Sequence, residues 1–194
     1  AMAYLGAFGT PDANPLTRPG DQLPPLRIER HWLPSGDLGI WVTVEQMRRL
    51  VRESVYHPRV REVAVRAIAG NRPDDSEANA RSIAAWLQDS CPYVRDPFPC
   101  EYLIAPWVLL SRVDADGSAG CDCDCVSTLG AALLSSIGLR PVFTVLANGK
   151  GTPPETYNHV LTRASIDGKL VSVDPFSLEG CVEQAVRYKD IEAT

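Results

Sequence analysis

The run from Gly120 to Gly138, GCDCDCVSTLGAALLSSIG, constrains the fold more than any other part of the 194-residue chain. Val126, Leu129, Leu133, Leu134 and Ile137 recur at helical intervals, and Gly138 supplies a C-terminal stop. Nearly every residue from Thr128 to Ile137 is small or apolar, so the helix is expected to be buried on most sides. It is expected at the centre of the molecule, with the other elements packed around it. Three thiols, Cys121, Cys123 and Cys125, alternate with Asp122 and Asp124 where the helix begins. These residues can be read as metal ligands, as a redox device, as one nucleophile with two bystanders, or as buried small side chains.

Upstream the pattern is helical. Thr43-Val44-Glu45-Gln46 has capping-box spacing and predicts a helix start, with Val44, Met47, Leu50, Val51 and Val55 as its stripe. His57-Pro58 opens a second helix (Val60, Val63, Ala64, Ala67, Ile68), closed by Gly70 and Pro73. A third is predicted over residues 75–89, with Ala80, Ile83, Ala84 and Leu87 on one face. Tyr93-Val94 reads as a short extended piece, and Pro106 opens a helical turn around residues 107–110.

Downstream the period changes to that of strands. Residues 141–146 (PVFTVL) form one, and residues 160–166 and 169–173 form two more across Asp167-Gly168, a strong hairpin signal. Helices first and antiparallel strands last define an α+β class. Residues 1–34 contain Pro11, Pro15, Pro19, Pro24, Pro25 and Pro34 and read as an extended arm, with a short strand over 27–32. Residues 35–194 read as a single domain.

The hairpin brings two distant residues together. With Asp167-Gly168 as the turn, Ile166 faces Lys169, and each further pair keeps a residue-number sum of 335. Leu161 then faces Asp174, and His159, two residues earlier, emerges on the same face as that aspartate. An imidazole held by a carboxylate is the base and orienter of a catalytic triad, or a plain cross-strand pair. A thiol at the start of a buried helix meets orphan amides and the positive end of the helix dipole, which favour thiolate. Asp122 and Asp124 oppose it by like-charge repulsion. Activation therefore depends on an imidazolium, and His159 is placed to supply it. His31 and His57 read as surface or capping residues.

Helical phase does not choose among the three thiols. The run from Asp122 to Leu139, DCDCVSTLGAALLSSIGL, resembles the nucleophile helix of the transglutaminase-like superfamily and fits without a gap when Cys123 is the nucleophile. His159-Val160 and Val173-Asp174-Pro175 match that family's histidine and aspartate motifs, and YVRDP (93–97) looks like the small bacterial and phage-encoded members. The resemblance covers roughly residues 40–176. It implies a papain-like fold, in which a central Cys-bearing helix packs on an antiparallel sheet carrying His and Asp. It also implies a transglutaminase-like catalytic domain over 35–194 with the triad Cys123, His159 and Asp174.

Two departures stand beside the match. Cys121 is an extra residue between Gly120 and Asp122, and Cys125 replaces the family's second aspartate. Both are candidate redox or accessory thiols. The backbone N–H of Cys123 is a natural oxyanion donor, and Trp107 is a speculative second contributor.

The expected activity is cysteine-dependent acyl transfer on carboxamide or peptide bonds through a thioester. The substrate is a protein or peptide, with a primary amine as possible acceptor. The alternatives are a protease or deamidase with the same triad, and a non-catalytic assembly protein keeping the fold. No metal or cofactor is expected: the Cys-x-Cys-x-Cys spacing is not the usual zinc pattern, and Cys91, Cys100 and Cys181 are isolated. A net charge of −5 argues against a general nucleic-acid surface. Arg48, Arg49, Arg52, Arg59, Arg61 and Arg66, interleaved with Glu45, Glu53 and Glu62, read as a solvated helix face. Without a membrane-length apolar run or a secretory pattern at the first residues, free thiols and a cytoplasmic location are expected, or a virion-associated one if the protein is phage-encoded.

Overall fold

The structure, a computed structural model, describes residues 2–8, 27–97, 100–150, 153–176 and 180–194. Five helices are described: α1 (Asp37–Ser54), α2 (Pro58–Ala67), α3 (Ser76–Ser90), α4 (Pro106–Asp116) and α5 (Cys123–Ser136). The strands are β1 (Met2–Phe8), β2 (Arg27–Trp32), β3 (Tyr102–Leu103), β4 (Arg140–Ala147), β5 (His159–Ile166), β6 (Lys169–Ser172) and β7 (Arg187–Glu192). Four of them form an antiparallel sheet in the order β6-β5-β4-β7, and the other three form a small sheet in the order β2-β1-β3. No helix among the described residues is long and apolar enough to cross a membrane.

The expected α+β arrangement stands, with α5 at its centre. Leu129, Ala131, Ala132, Leu133 and Leu134 are fully buried in one core with Met47 and Leu50 of α1, Val60 and Val63 of α2, Ile83 of α3 and Leu109 of α4. Phe143, Val145 and Ala164 close that core from the sheet. An all-round apolar helix is stable only when neighbours cover every side of it, and here four helices and a sheet do so.

Local chemistry explains most boundaries. His57 caps α2, its ring accepting from the Arg59 amide at 3.3 Å, with Pro58 in the first turn. Asp75 caps α3, accepting from the Ala78 amide at 2.9 Å. The helix start expected at Thr43 is wrong. α1 begins at Asp37, and the Thr43 hydroxyl donates to the Gly39 carbonyl at 3.3 Å inside the helix, so it caps nothing. The turn expected after Pro106 is a full helix that runs on to Asp116 and ends on Gly117, whose φ of +79° requires glycine.

The strand expected over 27–32 is β2, which pairs antiparallel with β1. β1 was not expected, and it also pairs parallel to β3, so the arm contributes a strand to the domain's smaller sheet. Pro11, Pro15, Pro19, Pro24 and Pro25 lie outside the described residues.

β7 was not anticipated either. It is a polar edge strand on β4, held by a network through the sheet. Arg163 Nε donates to Thr144 Oγ1 at 2.7 Å, Thr144 Oγ1 donates to Asp190 Oδ1 at 2.7 Å, and Arg163 also pairs with Asp190. The arginine face is solvated and self-paired, as in Arg49–Glu53 at 2.8 Å. Arg59 and Arg61 do more than meet solvent: Arg59 Nε reaches Asp114 of α4 at 2.8 Å, and Arg61 donates to the last-turn carbonyl of Ser136 in α5.

Candidate active site

The hairpin pairs in the expected register, from Ile166 with Lys169 to Arg163 with Ser172. Asp167 (φ +49°) and Gly168 (φ +78°) take the left-handed conformations that a tight two-residue hairpin turn demands. The register outlasts β6 by one pair, since the Val173 amide donates to the Thr162 carbonyl at 2.9 Å. Asp174 follows, and its Oδ2 lies 3.3 Å from Nε2 of His159. The Asp174 side chain is completely buried, and its Oδ1 accepts from the Phe176 amide at 3.2 Å, which fixes the carboxylate. The approach to His159 is fixed as well: Asn158 Nδ2 donates to Asn148 Oδ1 at 2.7 Å, and the Asn148 amide donates back to Asn158 Oδ1 at 3.2 Å.

The chain enters α5 through a paired segment. The Cys121 amide donates to Pro92 O at 3.1 Å, and the Val94 amide donates to Cys121 O at 2.9 Å. Gly120 permits this close approach, because a Cβ there would lie 2.6 Å from Cγ2 of Val94. Asp122 is the extended N-cap residue, and Cys123 opens the helix.

On the side of α5 that faces β5, the Val160 amide favours the thiolate of the partly buried Cys123. One turn on, Ser127 Oγ donates to Val160 O at 3.2 Å, and Thr162 Oγ1 donates to Ser127 O at 2.7 Å. The first two turns of α5 are thus fastened to the start of β5, immediately after His159. Burial, then the carboxylates of Asp124 and Asp122, push the Cys123 thiol well above its ordinary pKa; the Val160 amide works against them.

The other two cysteines go elsewhere. Cys121 is buried against Cys91, whose contact and burial push the Cys121 thiol up. Cys125 is buried on the β3 side, donating to Tyr102 O at 2.9 Å and accepting from the Ile104 amide at 3.2 Å. Trp107 sits in the first turn of α4 and stacks on His57, with ring centroids 5.7 Å apart. That contact and its burial give Trp107 a packing role.

Three neighbours were not singled out as site residues from the sequence. The Tyr93 phenol is pushed up by burial and by Cys123, and its ring meets Phe176 edge-on at 5.1 Å. Burial raises Asp96 to about 6, against the opposing hydrogen bond from the Tyr102 amide. Burial, Asp122 and Asp96 raise Glu101 to about 7. Tyr93 and Asp96 both fall within the YVRDP stretch, which was the available signal; Glu101 carried none.

No protein-family model matches the chain, and no curated protein does. Among solved structures, it is similar to a protein named a putative protease from Parabacteroides distasonis, with a TM-score of 0.52 and 12% identity. The match covers 81% of this chain and 30% of that one, so this chain spans under a third of its neighbour's length. The likeness is one of fold: a cysteine at the start of a helix, packed beside an antiparallel sheet, is compatible with a papain-like arrangement.

Proposed function

We propose that the protein is a cysteine-dependent acyl-transfer enzyme of the transglutaminase-like, papain-like type, acting through Cys123, His159 and Asp174. The observation that carries this reading is the contact between His159 and the buried Asp174 at the start of β5, the strand to which the first turns of α5 are fastened. With Nε2 of His159 on Asp174, Nδ1 is the nitrogen that takes the thiol proton, and the carboxylate stabilises the imidazolium that results. The thiolate attacks the carbonyl of a carboxamide or peptide bond, and the Cys123 amide serves the developing oxyanion. His159 returns the proton to the departing ammonia or amine, and a thioester remains on Cys123. Trp107 has no part in this scheme.

A primary amine that resolves the thioester gives cross-linking or amidation. Water gives a protease or deamidase, and the fold likeness to a structure named a protease favours that second reading. The substrate class is protein or peptide, and neither nucleic acid nor membrane is invoked. The test is mass spectrometry of the full chain incubated with a protein substrate and a primary amine, beside the Cys123→Ala variant. Amine incorporation, a deamidation mass change or backbone cleavage that needs Cys123 supports the reading and names the branch. Selective low-dose iodoacetamide labelling that persists undiminished in Cys123→Ala overturns it.

A further inference from the structure

The first turn of α5 holds a second group that the acyl-transfer scheme does not use. Ligand atoms of Asp122, Asp124 and Cys125 all lie within 4.8 Å of one another, and all three residues are buried. Asp122 is 7% exposed and Asp124 4%. Both carboxylate oxygens of Asp124 and Oδ1 of Asp122 are shielded from solvent and meet no hydrogen-bond partner among the described residues. The N-cap position explains neither carboxylate, because the Asp122 side chain makes no capping hydrogen bond. Buried carboxylate oxygens without hydrogen-bond partners leave a desolvation cost that a cation seated between them would offset.

We propose that Asp122, Asp124 and Cys125 form a buried site for one divalent transition-metal ion of the zinc class, which fastens the start of α5 to the β3 segment. The donor set selects the metal. A thiolate beside two carboxylates suits Zn²⁺ or Co²⁺, whereas Mg²⁺ and Ca²⁺ take oxygen ligands. Zn–O bonds of about 2.1 Å and Zn–S bonds of about 2.3 Å set tetrahedral donors about 3.4–3.6 Å apart, so binding draws the three side chains together by up to about 1 Å. Three protein donors leave the fourth tetrahedral position to water.

Binding is a proton exchange. The ion displaces the proton that Cys125 now donates to Tyr102 O, together with any proton held between the two carboxyls, and no electrons move. The Ile104 amide, already donating to the sulfur at 3.2 Å, stays as the outer hydrogen bond that orients the thiolate. Asp96 and Glu101 add negative charge around Asp124, as they would around a bound cation.

This proposal rests on the β3-facing side of α5 and stands whether or not Cys123 is a nucleophile. The test uses the full chain, freed of metal with a chelator, desalted and titrated with Co²⁺ and Zn²⁺ under reducing conditions. The expected result is one ion per chain by elemental analysis, and for Co²⁺ a near-ultraviolet sulfur-to-metal charge-transfer band that one equivalent of Zn²⁺ abolishes. Asp124→Asn and Cys125→Ser should each weaken binding by about 100-fold or more, whereas Cys181→Ser should bind like the parent. Sub-stoichiometric metal at micromolar concentrations, or Co²⁺ bound without the thiolate band, overturns the proposal. Both are read on the parent protein, so they hold even where a variant fails to fold. Unchanged affinity in folded Asp124→Asn or Cys125→Ser also overturns it. So does an Asp124→Asn protein that is more stable than a metal-free parent unable to bind the ion, since the carboxyls then share a proton instead.

Discussion

Cys123 and Cys125 stand two residues apart in one helical turn and meet opposite surroundings. The Cys123 thiol faces β5, where Val160 offers an amide and His159 is backed by a fixed carboxylate. Cys125 faces β3, where its sulfur is satisfied on both sides by backbone and is closed off from solvent. Both thiols are pushed up by burial and by the same two aspartates, so their pKa directions do not separate them. Under the proposed scheme a base separates them, because a thiol is useful as a nucleophile only where its proton has somewhere to go. The alternating Cys-Asp pattern thus sets one thiol beside β5 and the other beside β3.

The sharpest way to break this comparison is to exchange the fates of the two thiols. Cys123→Ala is expected to lower amide acyl transfer by about 1,000-fold or more, and His159→Ala to do nearly the same, because members of a triad act as a unit. Asp174→Asn should cost between about 10²- and 10⁴-fold, through loss of ring orientation. Cys125→Ala should leave low-dose iodoacetamide labelling intact. Labelling that followed Cys125 would reverse the assignment of the two sides.

Next in size are effects on the shared support. Leu133→Ala empties volume from the fully buried face of α5 and is expected to cost about 2–5 kcal/mol in urea denaturation. Thr162→Val removes the hydroxyl that donates to Ser127 O, and should cost about 1–2 kcal/mol. Because that hydrogen bond fastens α5 to the strand bearing His159, Thr162→Val should also slow alkylation of Cys123. A stability loss with unchanged alkylation would show that the β5 side does not depend on this fastening.

The two sides were not equally legible in the sequence. The His159–Asp174 meeting followed from a period of two and an Asp-Gly turn, because a hairpin is local and its register propagates by counting. The central position of α5 followed from its all-round apolar surface. The β3 side depends on loops: Asp96 and Glu101 reach α5 from the connection between α3 and α4, and no periodicity records where a loop returns. Thr43 misled because a hydroxyl with a polar residue three positions on also occurs inside helices, where the hydroxyl turns back to the preceding turn. β7 escaped notice because an edge strand facing solvent lacks an apolar alternation, and its contribution lies in Asp190 pairing with Arg163.

The smallest expected effect tests the charge of the β3 side directly. Glu101 titrates at about 7 in the folded protein, against an ordinary value of 4.5, first because of burial and then because of Asp122 and Asp96. A carboxyl whose folded pKa is raised binds its proton more tightly in the native state than in the unfolded chain. Its contribution to stability is therefore fully present below about pH 4.5 and is lost as pH rises through about 7. In chelator, the urea midpoint should fall between about pH 4.5 and pH 7, and Glu101→Gln should flatten that fall without a comparable effect below about pH 4.5. A bound divalent ion neutralises part of the same field, so Zn²⁺ should shallow the slope in the parent and change little in Glu101→Gln. An identical slope in parent and variant would mean that the negative charge around Asp124 does not reach Glu101, and that the β3 side is a set of separate buried groups sharing no common field.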